Sequence, residues 1–413
     1  MFITLSNASQ GAFGFAFWLL GARLYSVNDV GLATTLVTAV ILIAYMSLLG
    51  FNNTFVRYLP TSLERDDDIN TGLILVGVVA AVLAVAYALG APSVVPELSF
   101  VRDSPGYMVG FVVIVAFSTM NLLTDSVFIA YRAAHYNFFV DGVLQGAAKL
   151  VLPALLVGMA AFGLFLSSGA AAVVAVLVSL TLMARKYSYR PRPRVSLSVV
   201  RKVFRYSGAT YVADLLMMSP VLFLPLIVVN RLGPSAGGYY YIALQMANTI
   251  FAMSYAVSQS LFAEASYEDL AAQGLVRRSA LLQARSVIPL ALVLALGSHL
   301  ALAIFGSEYA AHASSTLAVF ALSAPAVALN YWTAVLARIQ LKLKVLVVTN
   351  LFFGVFTSLL AAAWAGRGLA WVAGAWLLGN LTSGAVRAYF VFRTSADAIE
   401  PALAWSAAPP TRE

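Results

Sequence analysis

The stretch from Phe17 to Pro60 reads FWLLGARLYSVNDVGLATTLVTAVILIAYMSLLGFNNTFVRYLP, and it decides the fold. It consists of two apolar runs joined by the polar turn Ser26-Val27-Asn28-Asp29. Each run is long enough to cross a bilayer, which takes about 20 residues of helix. The stretch therefore predicts two membrane-spanning helices connected by a short loop.

A second stretch, from Pro225 to Glu268, repeats the same order of features. In both stretches a helix ends in Arg-Leu, a polar turn follows, and a long helix begins. A shift of 207 residues aligns Gly31 with Gly238 and Met46 with Met253, and the arginines are offset by one further residue. This pattern predicts an internal repeat that divides the chain into two halves.

The composition extends the membrane prediction to the whole chain. Of 413 residues, 61% are hydrophobic and 10% are charged, and the mean hydropathy is +0.88. Soluble proteins carry about 25% charged residues, so the chain is predicted to be an all-α polytopic membrane protein. The first charge is Arg23, and the first segment is therefore expected to be a retained helix rather than a signal peptide.

Several classes of chemistry are excluded by the residues that are missing. The sequence contains no cysteine, its three histidines have no spacing that suits a metal, and no glycine-rich phosphate-binding loop is present. We therefore expect no metal site, no cofactor and no catalytic residues. An ATP-driven pump in one chain is excluded on the same grounds.

We predict about twelve membrane helices in two pseudo-symmetric lobes of six. The N-terminal lobe is residues 1–184, a basic linker is 185–206, the C-terminal lobe is 207–393, and a tail is 394–413. The predicted helices are residues 2–24, 31–59, 70–90, 107–131, 138–162, 164–184, 207–232, 238–265, 280–305, 312–337, 345–365 and 369–392.

The positions of lysine and arginine predict the orientation. The even-numbered loops and the C-terminal tail hold twenty of these residues, with Arg387 counted among them, and the odd-numbered loops hold four. Because loops rich in Lys and Arg stay cytoplasmic, both termini are predicted to be cytoplasmic in the cell's inner (plasma) membrane. This distribution accounts for the net charge of +8, so we expect no nucleic-acid partner.

The linker has two parts, an Arg-Pro-Arg-Pro-Arg run and the segment SLSVVRKVFRYS. In the second part the apolar residues share one helical face and the basic residues share another; they are Val199, Val200, Val203 and Phe204, and Arg201, Lys202 and Arg205. That arrangement suits a helix lying in the interface against anionic lipid. A basic loop that acts only as a topology signal is the alternative.

Lys149 is the charge placed deepest in the predicted membrane. Asp141 and Gln145 precede it by eight and four residues, so the three share one stripe of the fifth helix. Charges near the bilayer centre usually face an interior or a hydrated cavity. The stripe is interpreted either as the lining of such a cavity or as a packing device in which Lys149 pairs with an acid.

Two further acids are candidates for binding a coupling ion, besides Asp141. Asp125 on the fourth helix is the predicted partner of Lys149, since a lysine stem covers much of the distance between them. Asp214 lies on the seventh helix before Pro220 and Pro225, which are expected to kink it. Asp214 either binds H⁺ or Na⁺ or caps the kinked helix.

Polar residues near helix ends form the remaining candidates for substrate binding. Asn52 and Asn53 precede Arg57 by about one turn, which suits an anionic headgroup, while Arg23 and Arg57 equally suit side chains that reach the interface. Gln245 and Asn248 follow three tyrosines at the start of the eighth helix. These tyrosines either pack on sugar rings or form an interfacial belt.

With its pattern Ala-Arg-Leu-Tyr-Ser-x-x-Asp-Val-Gly-Leu-Ala, followed by Leu-Leu-Gly-Phe-Asn-Asn-Thr-Phe-Val-Arg-Tyr-Leu-Pro, the chain resembles the bacterial oligosaccharide flippases. These form the polysaccharide transporter family of the multidrug/oligosaccharidyl-lipid/polysaccharide (MOP) exporter superfamily, which includes the O-antigen flippases of lipopolysaccharide synthesis. The resemblance continues through residues 206–268 and covers nearly the whole chain.

The resemblance implies two six-helix lobes around a central cavity that opens alternately to either side. It implies transport of a lipid-linked (polyprenyl-pyrophosphate) oligosaccharide outward, with basic residues holding the pyrophosphate and H⁺ or Na⁺ driving the cycle. Arg23 and Arg57 would then face the cavity mouth. The expected partners are this substrate, the coupling ion, and the polymerase and glycosyltransferases of the same pathway.

Two alternatives stay open. A cation-coupled multidrug antiporter belongs to the same superfamily, but that branch generally has an acid in its first helix, and here no acid precedes Asp29. A membrane polymerase or ligase would need a large outer loop with catalytic groups. The longest odd-numbered loop, residues 91–106, carries Glu97, Arg102 and Asp103 as its charges.

Overall fold

The computed structural model describes residues 2–265, 272–340 and 342–393, with the side chains of 2–8, 202, 204–210, 213–214, 262–265 and 272–273 left aside. Each of the twelve predicted helices overlaps one long helix in this part of the chain, although the predicted second and ninth helices each continue into a separate short helix. The first six are α1 (Phe2–Leu24), α2 (Val27–Ser47), α3 (Arg65–Gly90), α4 (Pro105–Ala130), α5 (His135–Leu155) and α6 (Ala160–Tyr187). The second six are α7 (Leu197–Leu232), α8 (Pro234–Ala265), α9 (Ala272–Leu296), α10 (Ser307–Ile339), α11 (Leu343–Trp364) and α12 (Leu369–Arg393).

Ten helical segments in the described part of the chain are long and apolar enough to cross a membrane. Together with the absence of strands from the described residues, they confirm an all-α polytopic membrane protein. The helices α1 and α8 lie outside this set of ten. Both are nevertheless continuous helices, of 23 and 32 residues.

The chain forms two compact units. Unit 1 comprises residues 1–215, 221–242 and 304–307, and unit 2 comprises residues 216–220, 243–303 and 308–413. A core of buried apolar side chains occupies unit 1, with Phe51, Phe55, Val127 and Phe128 at its centre. The division into six plus six helices remains a prediction.

The predicted second helix, residues 31–59, is in fact two helices. Its backbone turns at Leu49 and Gly50, which have φ angles of 51° and 85°, and a short helix Phe51–Tyr58 follows. Glycine tolerates this left-handed conformation without a steric penalty, which ends α2 inside an unbroken apolar run. The asparagines and the arginine of the predicted headgroup site thus lie on a separate short helix.

The two glycines that the repeat makes equivalent lie against each other in unit 1. A Cβ on Gly31 would lie 1.7 Å from the carbonyl oxygen of Pro234 and 3.0 Å from the backbone nitrogen of Gly238. The starts of α2 and α8 therefore approach to backbone contact. Ser26 caps α2 at this end by accepting a hydrogen bond from the backbone N–H of Asp29.

Hydrogen bonds and an ion pair hold the basic linker against the start of α3. The Tyr189 hydroxyl donates to Asn70 Oδ1 over 2.6 Å, and the Arg192 backbone N–H donates to the same oxygen over 3.1 Å. Arg194 forms an ion pair of 3.4 Å with Asp67. Burial and the nearby Asp66 raise the pKa of Tyr189 to about 12, so its hydroxyl remains a donor at physiological pH.

The amphipathic half of the linker is helical, as predicted, but it is not a separate interfacial helix. It forms the first turns of α7, which runs unbroken from Leu197 to Leu232 through both prolines. The apolar side chains of Val199 and Val203 are buried in the core of unit 1. These two residues of the predicted lipid-facing side therefore pack against protein instead.

Candidate functional site

A cluster of polar side chains lies between α4 and α5 in unit 1. We call it the α4–α5 polar cluster, and it consists of Asn121 and Asp125 on α4 with Asp141, Gln145 and Lys149 on α5. Asp141 is its centre, because Asp141 Oδ1 accepts hydrogen bonds from Asn121 Nδ2 (2.9 Å) and Gln145 Nε2 (2.5 Å). The structure thus brings the predicted stripe of the fifth helix together with polar residues of the fourth.

The second carboxylate oxygen of Asp141, Oδ2, is buried and accepts no hydrogen bond from the described residues. The carboxyl group of Asp125 lies close to Asp141, and the two acids interact electrostatically. Two negative charges close together in a buried site repel each other, and a bound cation relieves the repulsion. The pair is therefore a candidate for binding a coupling cation.

Asp141 lies on an irregular turn of helix. Residues 138–144 form a π-helical segment, in which one extra residue per turn widens the helix, a feature frequent at functional sites. The neighbouring glycines let α1 approach closely, since a Cβ on Gly146 would lie 2.3 Å from the ring of Phe13. Gly142 and Gly146 form a Gly-x-x-x-Gly pair, a spacing that permits this close helix packing.

Lys149 is placed differently from the prediction. Since α5 ends at Leu155 rather than at residue 162, Lys149 lies six residues, or about 9 Å, from the helix end instead of at its middle. The acid that acts electrostatically on Lys149 is Asp141, and no ion pair joins Lys149 to Asp125 in the described chain. The predicted pairing with Asp125 is wrong because the Asp125 carboxyl is already engaged by Asp141.

The cluster follows the helix axis across a substantial part of the membrane. From Asp141 to Lys149 the rise is about 12 Å at 1.5 Å per residue. Helical side chains point toward the helix N-terminus, so the lysine stem leans back toward Asp141.

Arg23 and Arg57 are both exposed, and they lie in different surroundings. Arg23 lies in the last turn of α1 and donates two hydrogen bonds to the backbone carbonyl of Ile304, of 3.2 Å from Nε and 2.6 Å from Nη2. Arg57 lies 5.7 Å from the ring centre of Tyr58 on the short helix Phe51–Tyr58. On that helix Asn52 and Asn53 are half-buried.

Gln245 and Asn248, the candidate substrate-binding residues on α8, lie in unit 2. Asn248 Nδ2 donates to Gln245 Oε1 over 2.8 Å, so these two amides form a local pair. The adjacent Tyr240 and Tyr241 are buried, with 1% and 8% of their surface exposed. An interfacial tyrosine belt is therefore wrong for these two residues.

The candidate Asp214 lies on α7, but its side chain is outside the described residues. Its role remains a prediction from the sequence. No group of three or more metal-binding side chains occurs in the part of the chain that the structure describes.

Arg387 is a buried cation that sequence reasoning misplaced among the cytoplasmic loops. It lies inside α12 with 0% of its surface exposed. Its guanidinium donates to Asn330 on α10 and to Thr349 and Asn350 on α11, over 2.5–2.8 Å. The i, i+3, i+7 spacing of Asn380, Ser383 and Arg387 was the signal in the sequence that these polar residues share one helix face.

The family of polysaccharide biosynthesis proteins matches residues 20–314, which is most of the chain. The chain belongs to this family. The resemblance drawn from the first two helices is thereby confirmed at the level of the family. No sequence among the curated proteins matches the chain.

Solved structures with the same fold are transporters of the MOP superfamily. An inward-facing multidrug resistance MATE family transporter is similar over 94% of this chain and 96% of its own, with 14% identity and a TM-score of 0.69. An outward-facing MATE family transporter and a MOP superfamily transporter from Pyrococcus furiosus each reach 13% identity and a TM-score of 0.59, over 94% of this chain and 92% of theirs. At these identities the likeness shows the fold alone, which is that of a MOP transporter.

Proposed function

We propose that this member of the family is a flippase that moves a lipid-linked (polyprenyl-pyrophosphate) oligosaccharide from the cytoplasmic to the outer leaflet. The α4–α5 polar cluster is the observation that carries the proposal. A cation and two acids inside an apolar helix pair are costly in a membrane and need a functional reason. The family match to polysaccharide biosynthesis proteins supports the substrate class.

Lys149 is the proposed central contact for the pyrophosphate. A lysine is a compact cation with three rotatable donors, which suits a phosphate group that moves past it. Arg57, Arg23, Asn52 and Asn53 would bind the phosphates or sugars nearer the ends of the path, and Gln145, Gln245 and Asn248 would offer amides to the sugar hydroxyls. Arg23 would have to release the carbonyl of Ile304 to take part.

The acid pair Asp125–Asp141 is the proposed coupling element, and Asp214 is a second candidate. When a phosphate binds Lys149, it competes with Asp141 for the lysine charge. The acid pair then loses a nearby cation and binds H⁺ or Na⁺ more tightly. Substrate and ion would thus influence each other through one lysine.

The location follows from the charge distribution of the chain. We propose that the protein lies in the plasma membrane with both termini cytoplasmic. We also propose that Arg190, Arg192 and Arg194 on the basic linker contact anionic lipid. Their side chains are exposed. The pathway's glycosyltransferases and polymerase are the proposed partners on either side of the membrane.

Substitution of Lys149 tests the proposal in cells. In a strain that depends on this protein for surface polysaccharide, Lys149→Gln should abolish the polysaccharide, while Lys149→Arg should retain part of it because it keeps the charge. The matched control is Lys186→Gln, which removes an exposed lysine at the end of α6 and should leave the polysaccharide unchanged. Immunoblots of membranes would show that all variants accumulate equally.

Two results would argue against the flippase. Normal surface polysaccharide with Lys149→Gln would remove this residue from the mechanism. Increased resistance to cationic dyes on overexpression, without any effect of deletion on polysaccharide, would favour the multidrug antiporter instead.

A further inference from the structure

A groove runs along the membrane-facing surface of unit 2 between α11 and α12. Its volume is about 420 Å³. The walls are almost entirely apolar, with Val348 and Phe352 from α11 and Val386 and Phe390 from α12. These four side chains are between 40% and 64% exposed, so an apolar ligand can reach the groove from the side.

One cation stands at the end of this groove. Lys344 lines its rim, is exposed, and forms no hydrogen bond or ion pair with any described residue. The nearby Lys342 is oriented differently, because its Nζ donates to the backbone carbonyls of Phe390 and Val391. An apolar groove with a single unpaired cation at one end has the polarity of a site for an anionic amphiphile.

The surrounding sequence strengthens the preference for an anion. From residue 309 to residue 396 the chain contains six lysines and arginines and no aspartate or glutamate. Directly behind the groove wall, Arg387 Nε donates to Thr349 Oγ1, and Thr349 itself lines the groove. This buried guanidinium has no carboxylate partner in the described chain. The protein therefore leaves its positive charge here uncompensated.

The length of the groove indicates the size of the occupant. From Lys344 to Phe352 the helix rises about 12 Å at 1.5 Å per residue. One leaflet contributes about 15 Å, half of the roughly 30 Å hydrocarbon core. A single acyl chain whose headgroup lies at Lys344 would therefore fill the groove within its own leaflet. A long polyprenyl chain would extend well beyond it.

We infer that this groove is a binding site for one anionic glycerophospholipid, with its phosphate on Lys344 and one acyl chain between α11 and α12. The positive-inside distribution assigns the site to the cytoplasmic leaflet, where anionic lipids are found. The bound lipid supplies the missing negative charge near Arg387 and covers the wall formed by Thr349. This role is separate from transport of the substrate.

Native mass spectrometry of the full chain from mixed micelles tests the site. The probes are phosphatidylglycerol and phosphatidylcholine in equal amounts. The wild type should retain phosphatidylglycerol, and Lys344→Gln should lower this retention about fivefold, the factor expected for one lysine at a lipid surface. Val348→Trp, which fills the groove, should abolish retention of both lipids at this site.

The control variants remove a comparable group elsewhere. Lys186→Gln removes an exposed lysine on α6, and Val355→Trp adds the same bulk at a half-exposed position of α11 outside the groove. Both should behave as the wild type. Wild-type retention by Lys344→Gln and Val348→Trp, or equal retention of phosphatidylcholine by the wild type, would overturn the inference. Displacement of phosphatidylglycerol by a polyprenyl phosphate would assign the groove to the substrate tail instead and would also overturn it.

Discussion

Arg387 holds three helices of unit 2 together at a point where the described chain offers no carboxylate. Its donors are directed at neutral oxygens of Asn330, Thr349 and Asn350, and the Nη2 group also lies 3.4 Å from Ser383 Oγ. A buried charge is tolerated only when its hydrogen bonds are made. The guanidinium satisfies this requirement through its fixed fork of donors.

Replacing Arg387 by glutamine should destabilise unit 2. The change leaves several buried acceptors without a donor, and each such group costs 1–3 kcal/mol, so we expect a loss of about 3 kcal/mol in the free energy of unfolding. Arg387→Lys should lose part of this, because three donors replace five. The thermal unfolding midpoint of the purified protein measures the effect.

The control for this prediction is Arg393→Gln, which removes an exposed arginine six residues later on the same helix. Its unfolding midpoint should match that of the wild type. If Arg387→Gln unfolds at the same temperature as Arg393→Gln, the network contributes nothing to stability.

Asp141 illustrates what residue spacing can and cannot predict. The spacing of Asp141, Gln145 and Lys149 placed these three residues on one stripe, and the hydrogen bond from Gln145 to Asp141 agrees with it. The carboxyl contact with Asp125 could not be predicted, because it depends on the π-helical segment and on how deeply α4 and α5 overlap. Spacing defines a face of one helix, whereas partners on another helix depend on packing.

At the scale of the individual helices, boundaries were predictable wherever a polar turn interrupts an apolar run. The bounds of α1 agree with the prediction, and α12 differs by one residue at its end. The break at Gly50 was not predictable from the run itself, because membrane helices contain many glycines that do not interrupt them. The π-helical segment of α5 lacks any comparable signal in the sequence.

The contact between α2 and α8 gives the prediction at this scale. Gly31→Ala places a methyl group 1.7 Å from the Pro234 carbonyl oxygen, which is backbone and cannot rotate away. The two helices must separate, so we expect a destabilisation of more than about 2 kcal/mol. The measurement is the fraction of monodisperse protein after heating, by size-exclusion chromatography.

Gly14→Ala is the matched control, since Gly14 lies inside α1 with no atom within 4 Å of an added Cβ. Alanine is the better helix former by about 1 kcal/mol, so this variant should be as stable as the wild type or more stable. Equal behaviour of Gly14→Ala and Gly31→Ala would show that the two helices do not depend on this close approach.

At the scale of the whole molecule, composition and hydrophobic runs were sufficient for the fold class, because a bilayer allows few alternatives to helices. The family match and the transporter fold agree with the resemblance found in the first two helices. The count of lysines and arginines by loop wrongly included Arg387, which lies inside α12. Without it, nineteen such residues remain in the count for the even-numbered loops and tail. The predicted orientation depends on the charges of many loops together, so one misplaced residue does not change it.

We propose that a phosphate moving through the protein competes with Asp141 for the charge of Lys149. Such a link requires lysine, acid pair and coupling ion to act as one unit, so that loss of the lysine stops transport and loss of an acid removes the dependence of transport on the ion gradient. It also requires a substrate with a negative headgroup. A neutral or cationic substrate would be repelled or ignored by Lys149.

The most direct measurement is translocation of a fluorescent polyprenyl-pyrophosphate saccharide in proteoliposomes with an imposed ion gradient, read by quenching of the outer leaflet. We expect the wild type to translocate the lipid, Lys149→Gln to be inactive, and Asp141→Asn to translocate it at a rate that no longer depends on the gradient. Lys186→Gln should be fully active. Translocation by Lys149→Gln at the wild-type rate, with the same dependence on the gradient, would contradict the account.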